Sequence, residues 1–143
     1  MYTGEYSHTI DEKGRLIVPS KYRELLGDNF MVTRGFDGNL TMYDHENWEV
    51  FAGKINGLNA TVKGSRMLKR HFIGGAIDVD IDKQGRVVIP GNLRAEANLK
   101  KNVVLLGVGD HIEIWDKDRF DADGKFGRID EVAEHLYEMG ITL

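Results

Sequence analysis

The alternation of hydrophobic and polar residues predicts a chain of short strands joined by turns and short helices. From Glu5 to Ile10 the alternation has a period of two residues, as in a half-buried strand. A polar segment, Asp11 to Gly14, follows, and an aliphatic run from Arg15 to Val18 resumes the extended pattern. Pro19 ends that run because it has no N–H group for a strand ladder. We therefore predict a hairpin or a sharp strand-turn-strand unit here.

The following segments alternate between helical and extended patterns. We expect a short helix over Lys21 to Leu26, capped by Ser20, and a later helix capped by Asp44 with Trp48, Phe51 and Ile55 on one face. Further elements predicted before residue 76 are strands from Phe30 to Thr33 and from Leu40 to Tyr43, and a helix from Val62 to Ile73 that ends at Gly74-Gly75.

The strand-turn-strand segment occurs twice. Residues 11–19, DEKGRLIVP, return at 82–90 as DKQGRVVIP, 71 positions later. The similarity continues over about 45 residues in each copy, and Arg23 matches Arg94 at the same shift. A unit of that size rarely buries enough apolar surface to fold alone. We therefore expect the two repeats to interlock around one shared core.

The second repeat predicts the same series of elements as the first. These are strands over Ile77 to Ile81, Arg86 to Ile89, Asn102 to Leu106 and His111 to Trp115, with a helix over Asn92 to Ala97 and a cap at Asp116. Asp121 to Gly124 is predicted as a loop. Ile129, Val132, Leu136 and Met139 recur at helical spacing, which predicts a last helix. The only packing partner expected for this helix is a neighbouring molecule. The resulting division is a first repeat at 5–47, a helical linker at 48–75, a second repeat at 76–119 and an acidic, helical tail at 120–143.

The net charge of −4 is located in the tail. Residues 1–115 hold fifteen Lys and Arg and fifteen Asp and Glu, whereas residues 116–143 hold eight acids and four bases. A net negative charge argues against a nucleic-acid partner. Because the repeats themselves are neutral, that argument does not apply to them.

Composition and spacing disfavour catalytic and metal chemistry. The chain has no cysteine, its five histidines lack paired metal-ligand spacing, and no nucleophile motif is present. The segment from Asp78 to Asp82 begins like a calcium loop, but Lys83 and Ile89 occupy positions that need Gly and Glu. No stretch approaches the ~20 apolar residues of a membrane span. We expect a cytoplasmic protein that is no enzyme and needs no cofactor or metal.

The two turns carry the most suggestive chemistry. Arg15 and Arg86 each follow a glycine, which permits close backbone approach, and arginine can donate two parallel hydrogen bonds to a phosphate or to guanine. Internal ion pairs, Asp11 with Arg15 and Asp82 with Arg86, explain the same residues equally well. A solvated helix face is the favoured interpretation of Lys63, Arg66, Lys69 and Arg70, and contact with DNA or with another subunit is the second. A core position is the favoured interpretation of Trp48, Phe51, Trp115 and Phe120.

Taken together, these motifs resemble the MraZ family of bacterial transcription regulators. The resemblance lies in the two Asp-x-x-Gly-Arg-aliphatic-x-aliphatic-Pro segments, each followed by a short helix and two strands, and in Gly4-Glu5-Tyr6, Arg34-Gly35, Gly74-Gly75-Ala76 and Ile112-Glu113-Ile114-Trp115-Asp116. It implies a mainly β fold with short helices (α+β), in which two tandem AbrB-type swapped-hairpin repeats interlock into one pseudo-two-fold β-barrel, with linker and C-terminal helices added.

The resemblance also implies a function. It suggests a DNA-binding regulator, expected to be a repressor, which binds direct repeats in the promoter of its own cell-division and cell-wall gene cluster and assembles into a ring of subunits at the nucleoid. Lys13, Arg15, Lys83 and Arg86 would face the DNA, and Asp11, Gly14, Asp82 and Gly85 would support the turns. The alternative is an antitoxin-like interaction module of the same fold, whose acidic tail binds a partner protein.

Overall fold

The computed structural model describes residues 1–124 and 127–142, and shows eight strands with several short helices among them. The strands are β1 (Glu5–Thr9), β2 (Arg15–Ile17), β3 (Asn29–Arg34), β4 (Leu40–Tyr43), β5 (Ile77–Asp80), β6 (Arg86–Val88), β7 (Asn102–Gly107) and β8 (Ile112–Asp116). The helices are α1 (Ser20–Leu26), α2 (His45–Asn56), α3 (Lys63–Leu68), α4 (Gly91–Glu96), α5 (Lys117–Arg119) and α6 (Ile129–Glu138), with π-helical turns at Lys69–Ile73 and Phe120–Gly124.

The two repeats exchange their first strands. An antiparallel sheet has the strand order β1-β7-β8-β4-β3-β5, so β1 of the first repeat pairs with β7 of the second, and β5 of the second pairs with β3 of the first. Strands β2 and β6 form a separate two-stranded ribbon. Of the two forms predicted for residues 5–18, the structure has the sharp strand-turn-strand. Within that unit only the bridge between Ile10 and Leu16 joins the two arms.

One hydrophobic core lies between the ribbon and the larger sheet. It includes Leu16 and Val87 from the ribbon and Leu40 and Val103 from the sheet, all at most 1% exposed. Both repeats therefore contribute to a single core, as predicted, and the α+β class is confirmed. The aromatic residues predicted to be buried lie in two smaller clusters, one with Trp48 and partly buried Phe51, the other with Trp115 and Phe120.

Three local predictions need correction. Ser20 does not cap α1. It is the first helical residue, and Pro19 precedes it as an N-cap with no side-chain bond. The helix predicted over Val62 to Ile73 is interrupted, because its second half widens into a π-helical turn that buries Phe72. The segment Asp121–Gly124 is also π-helical rather than a loop. Other predicted bounds differ from the observed ones by at most one residue, and both aspartate caps, Asp44 and Asp116, are confirmed. The four-part division of the chain stays a prediction.

Candidate nucleic-acid interface

The β2–β6 ribbon presents both turn arginines on one face. In its register Arg15 lies opposite Val88, and Ile17 lies opposite Arg86. Residues directly opposite each other in an antiparallel pair share a face, so these four side chains project together. The alternate residues, Leu16 and Val87, are buried on the other face. Strand spacing places the two arginine Cα atoms about 8 Å apart, at diagonal corners of the ribbon.

Each turn is organised by its aspartate. Asp11 Oδ1 accepts hydrogen bonds from the backbone N–H groups of Lys13 (3.0 Å) and Arg15 (2.9 Å), while Asp11 Oδ2 accepts from Arg15 Nε at 2.6 Å. The second turn repeats this arrangement, with Asp82 Oδ1 accepting from the N–H groups of Gln84 and Arg86, and Asp82 Oδ2 from Arg86 Nε at 2.9 Å. The internal ion pairs weighed in the sequence are therefore present. Because they use Nε, they orient the guanidinium groups and leave the Nη atoms outside the pair.

These contacts favour the ionised aspartates. The pKa of the Asp11 carboxyl is lowered, first by the hydrogen bond from the Arg15 backbone amide and then by the bond from the Arg15 side chain. The pKa of Asp82 is lowered chiefly by the Arg86 backbone amide. Both carboxylates therefore remain charged at neutral pH, and each turn keeps its arginine in place.

The two turn arginines differ in the number of hydrogen bonds that they make within the protein. Arg86 Nη2 also donates to Gln84 Oε1, whereas Lys13 stands at the corresponding position of the first turn and offers no acceptor. Among the described residues no hydrogen-bond partner is found for the Nη atoms of Arg15. The side chain of Arg15 is 35% exposed and that of Arg86 is 28% exposed. Lys83 aligns with Glu12 rather than with Lys13, so the two lysines occupy different places in their turns.

A helix arginine from the opposite repeat packs against each turn. A β-carbon added to Gly14, which has φ of +82°, would lie 2.8 Å from Arg94 Nε. One added to Gly85, with φ of +77°, would lie 2.7 Å from an Nη atom of Arg23. Arg94 Nε also donates to the carbonyl of Ile89 at 2.9 Å. Because the repeats exchange strands, each basic turn has one further cation beside it, which is an arginine of the other repeat.

The surroundings of the two turns are unequal in charge. A cleft beside the first turn is lined by Asp11 and Glu12 and by Arg94, Lys100 and Lys101 of the second repeat. Beside the second turn, the carbonyl of Asp28 accepts from the N–H of Ile81, in the way that the carbonyl of Lys101 accepts from Ile10. An acidic residue thus replaces a basic one at this place, which makes the surroundings of the first turn the more cationic of the two.

Sequence reasoning missed Arg23, Arg94, Ile17 and Val88. The correspondence of Arg23 with Arg94 was visible as part of the repeat, but only the exchanged packing shows which turn each of them approaches. Ile17 and Val88 belong to aliphatic runs that suggest burial, yet they are 49% and 52% exposed. Strict alternation from the buried Leu16 and Val87 would have placed them outward.

The described part of the chain offers neither a metal cluster nor a membrane-spanning helix. Over residues 1–124 and 127–142, no group of three or more His, Asp or Glu side chains could hold a metal ion. Within the same ranges, no helix is both long and apolar enough to cross a membrane.

Comparison with known proteins agrees with the exchanged repeats. The family model of the MraZ protein, described as antitoxin-like, matches residues 1–71 and 72–123. A protein named transcriptional regulator MraZ from Lachnoclostridium phytofermentans is 47% identical over 142 residues, 99% of both chains. Proteins of that name from Ligilactobacillus salivarius and a Thermoanaerobacter species are 46% and 42% identical over 143 residues, which cover 99% of this chain and all of theirs. The chain thus belongs to the MraZ family, as the resemblance of its repeated turns predicts.

Proposed function

We propose that this protein is a DNA-binding transcriptional regulator that contacts a duplex through the outward face of the β2–β6 ribbon. The observation that carries the proposal is the shared face of Arg15 and Arg86, each oriented by an aspartate of its own turn. The full-length relatives named as transcriptional regulators support the same function. The antitoxin-like alternative is less favoured, because these full-length relatives are named as transcriptional regulators.

The major groove admits a two-stranded β-ribbon, and a guanidinium group can donate two hydrogen bonds to a guanine edge. In this proposal Arg15 and Arg86 read bases or phosphates. Lys13 and Lys83 neutralise nearby phosphates, and Asp11, Gly14, Asp82 and Gly85 hold the turns. Ile17 and Val88 occupy the other two corners of this face and suit apolar contact with thymine methyl groups. Arg23 and Arg94 support the turns and add positive charge.

The biological setting that we propose is the one implied by the family resemblance. The protein acts without catalysis, as a repressor at direct repeats in the promoter of its own cell-division and cell-wall gene cluster, in the cytoplasm at the nucleoid. A single protomer offers few cations, so a homo-oligomeric ring would increase affinity by engaging several repeats at once. Each further contact would then be made at high effective concentration.

The affinity of the protein for the DNA upstream of its own gene, measured by titration, tests the proposal. The double variant Arg15→Ala with Arg86→Ala should lose promoter binding while it keeps its fold and its assembly. Lys21→Ala with Lys54→Ala removes two cations that lie outside the turns and serves as the matched control. Unchanged affinity of the arginine variant at moderate salt would refute the proposed interface.

A further inference from the structure

The loop between α4 and β7 lies beside the first turn, across a cleft of about 510 Å³. The backbone of this loop is fixed at two places. The N–H of Lys100 donates to Asp116 Oδ1 at 3.2 Å, and the carbonyl of Lys101 accepts from the N–H of Ile10 at 2.8 Å. The cleft is therefore formed jointly by a turn of the first repeat and a loop of the second.

Three cations of the second repeat line this cleft: Arg94, Lys100 and Lys101. Both lysines are exposed. Among residues 1–124 and 127–142, neither lysine side chain has a hydrogen-bond or ion-pair partner. Arg94 is held in place, because its Nε donates to the carbonyl of Ile89 at 2.9 Å. The cleft thus combines one fixed positive charge with two lysines that are free to meet a ligand.

The first turn contributes two carboxylates to the lining, Asp11 and Glu12. The carboxylate of Asp11 is already paired with Arg15, at 2.6 Å. Glu12 is exposed and is the one unpaired carboxylate of this lining. Three cations against one unpaired carboxylate leave a net positive cleft, which attracts an anion.

The corresponding place beside the second turn is acidic. Asp28 occupies the position of Lys101 there, because the carbonyls of these two residues accept equivalent hydrogen bonds. Asp80 occupies the position of Thr9 in the paired strands. Both aspartates are exposed. An anion that is attracted beside the first turn would therefore be repelled beside the second.

We infer that a backbone phosphate of the bound duplex enters the cleft beside the first turn, where Lys100 and Lys101 donate hydrogen bonds to its oxygens and Arg94 adds a fixed positive charge. The inference rests on the proposed function, since it needs a duplex on the face that carries Arg15. Phosphate contacts fix the position of a protein on DNA but do not read its sequence. Each protomer is therefore anchored to the backbone on one side of its site.

The variant Lys100→Ala with Lys101→Ala tests the cleft directly. Its affinity is measured by fluorescence anisotropy at several salt concentrations, on a single repeat of the promoter and on a duplex of unrelated sequence. Both duplexes should be bound more weakly, because a phosphate contact does not depend on sequence. The slope of log affinity against log salt concentration should become shallower by about 0.9 for each phosphate contact that is lost.

The matched control, Lys21→Ala with Lys54→Ala, removes the same charge. Lys21 Nζ donates to Thr3 Oγ1 at 3.1 Å, before the start of β1, whereas the first turn follows the end of that strand. This control should keep the wild-type slope. Circular dichroism melting, with unchanged Tm, shows that both variants are folded.

A lysine introduced beside the second turn tests the geometry through a gain of affinity, which misfolding cannot produce. Asp28→Lys supplies there the cation that Lys101 supplies beside the first turn. This variant should bind both duplexes more tightly than the wild type, with a slope steeper by about 0.9. Glu5→Lys makes the same change of charge at the exposed start of β1, away from both turns, and should leave the slope unchanged.

Uncharged methylphosphonates, placed one at a time along the promoter repeat, locate the phosphate. At the position that enters the cleft, the replacement should weaken binding of the wild type and have no further effect on the Lys100→Ala, Lys101→Ala variant. If no position behaves in this way, the cleft holds no phosphate.

The other outcomes separate this contact from the proposed function. A wild-type protein that does not bind the promoter repeat would overturn both. If the wild type binds and neither the lysine pair nor Asp28→Lys alters its affinity, only the cleft is wrong. A lysine variant that loses affinity for the promoter repeat and keeps it for the unrelated duplex would show that these lysines contact bases. A loss for the lysine pair without a gain for Asp28→Lys would contradict the equivalence of the two places.

Discussion

Arg94, on a helix of the second repeat, packs against Gly14 in the turn of the first. The glycine has φ of +82°, and an added β-carbon would lie 2.7 Å from the carbonyl oxygen of Ile89 and 2.8 Å from Arg94 Nε. The first turn is therefore held by a backbone oxygen and a guanidinium group that its own repeat does not supply. At Gly85, the nearest obstacle is the flexible side chain of Arg23.

We expect Gly14→Ala to destabilise the protein more than Gly85→Ala. Both changes place a β-carbon at positive φ, which costs about 1–2 kcal/mol, but only the first also meets a backbone atom that cannot rotate away. Chemical denaturation measures the free energy of unfolding of both variants. Equal losses would show that the contact with the Ile89 carbonyl does not matter.

Removing the turn carboxylates should have an effect that depends on pH. Because the pKa values of Asp11 and Asp82 in the folded protein lie below the ordinary value of 3.8, their ionised forms stabilise the fold above that pH, and this contribution disappears as the pH falls through the folded pKa. The Tm difference between wild type and Asp11→Asn with Asp82→Asn should therefore be largest near pH 7 and shrink below about pH 3.8. A difference that stays constant across this range would exclude the ion pairs as its source.

Arg15 should contribute more to DNA affinity than Arg86. Gln84 already accepts from Arg86 Nη2, while the first turn has Lys13 at that place and more positive charge around it. Loss of a bidentate base contact costs about 1–3 kcal/mol, so Arg15→Ala should weaken promoter binding by about tenfold or more, and Arg86→Ala by less. Fluorescence anisotropy with a single repeat of the promoter measures both affinities.

Two further variants test whether hydrogen bonds of the guanidinium groups cause this difference between Arg15 and Arg86. Gln84→Ala removes the internal acceptor and should increase the contribution of Arg86. Arg15→Lys retains the charge but not the planar pair of donors, so it should lose most of the base-specific affinity. Identical affinities of Arg15→Ala and Arg86→Ala would contradict an unequal pair of turns.

Promoter affinity should depend steeply on salt. Each neutralised phosphate contributes about −0.9 to the slope of log affinity against log salt concentration. Two phosphate contacts would therefore give a slope of about −1.8, and an assembly gripping several repeats should exceed this clearly. A wild-type slope of about −1.8 or shallower would argue against binding by several protomers at once.

A buried hydroxyl group that joins the helical linker to the sheet should stabilise the fold. Thr33 is fully buried, and its Oγ1 donates to the carbonyl of Phe72, in the π-helical turn, at 2.6 Å. Thr33→Val should cost about 1–3 kcal/mol, because it leaves a buried carbonyl without that donor. Thr41→Val breaks a longer bond, 3.4 Å to the carbonyl of Thr33, and should cost less. A larger loss for Thr41→Val in urea denaturation would contradict this role.

Local sequence was enough to predict the elements themselves. Period-two alternation, Pro19, and the aspartates at positions 44 and 116 marked strands and helix starts, because these signals act through neighbouring backbone groups. The duplicated turns also showed, without coordinates, that two incomplete units had to share one core. The presence of acceptor aspartates and flexible glycines in both copies made the local geometry of the turns predictable.

The partners of those elements were decided by tertiary structure. Nothing in residues 5–18 indicates that β1 pairs with β7 rather than with β2, since both pairings satisfy the same backbone groups. The π-helical turn that buries Phe72, and the placement of Arg94 on Gly14, depend on contacts between residues far apart in sequence. Sequence thus determined which short elements and which turn chemistry this protein has. Only the packing of one repeat into the other could decide that Arg15 and Arg86 share a face, because that relation is a distance between two copies and not a property of either.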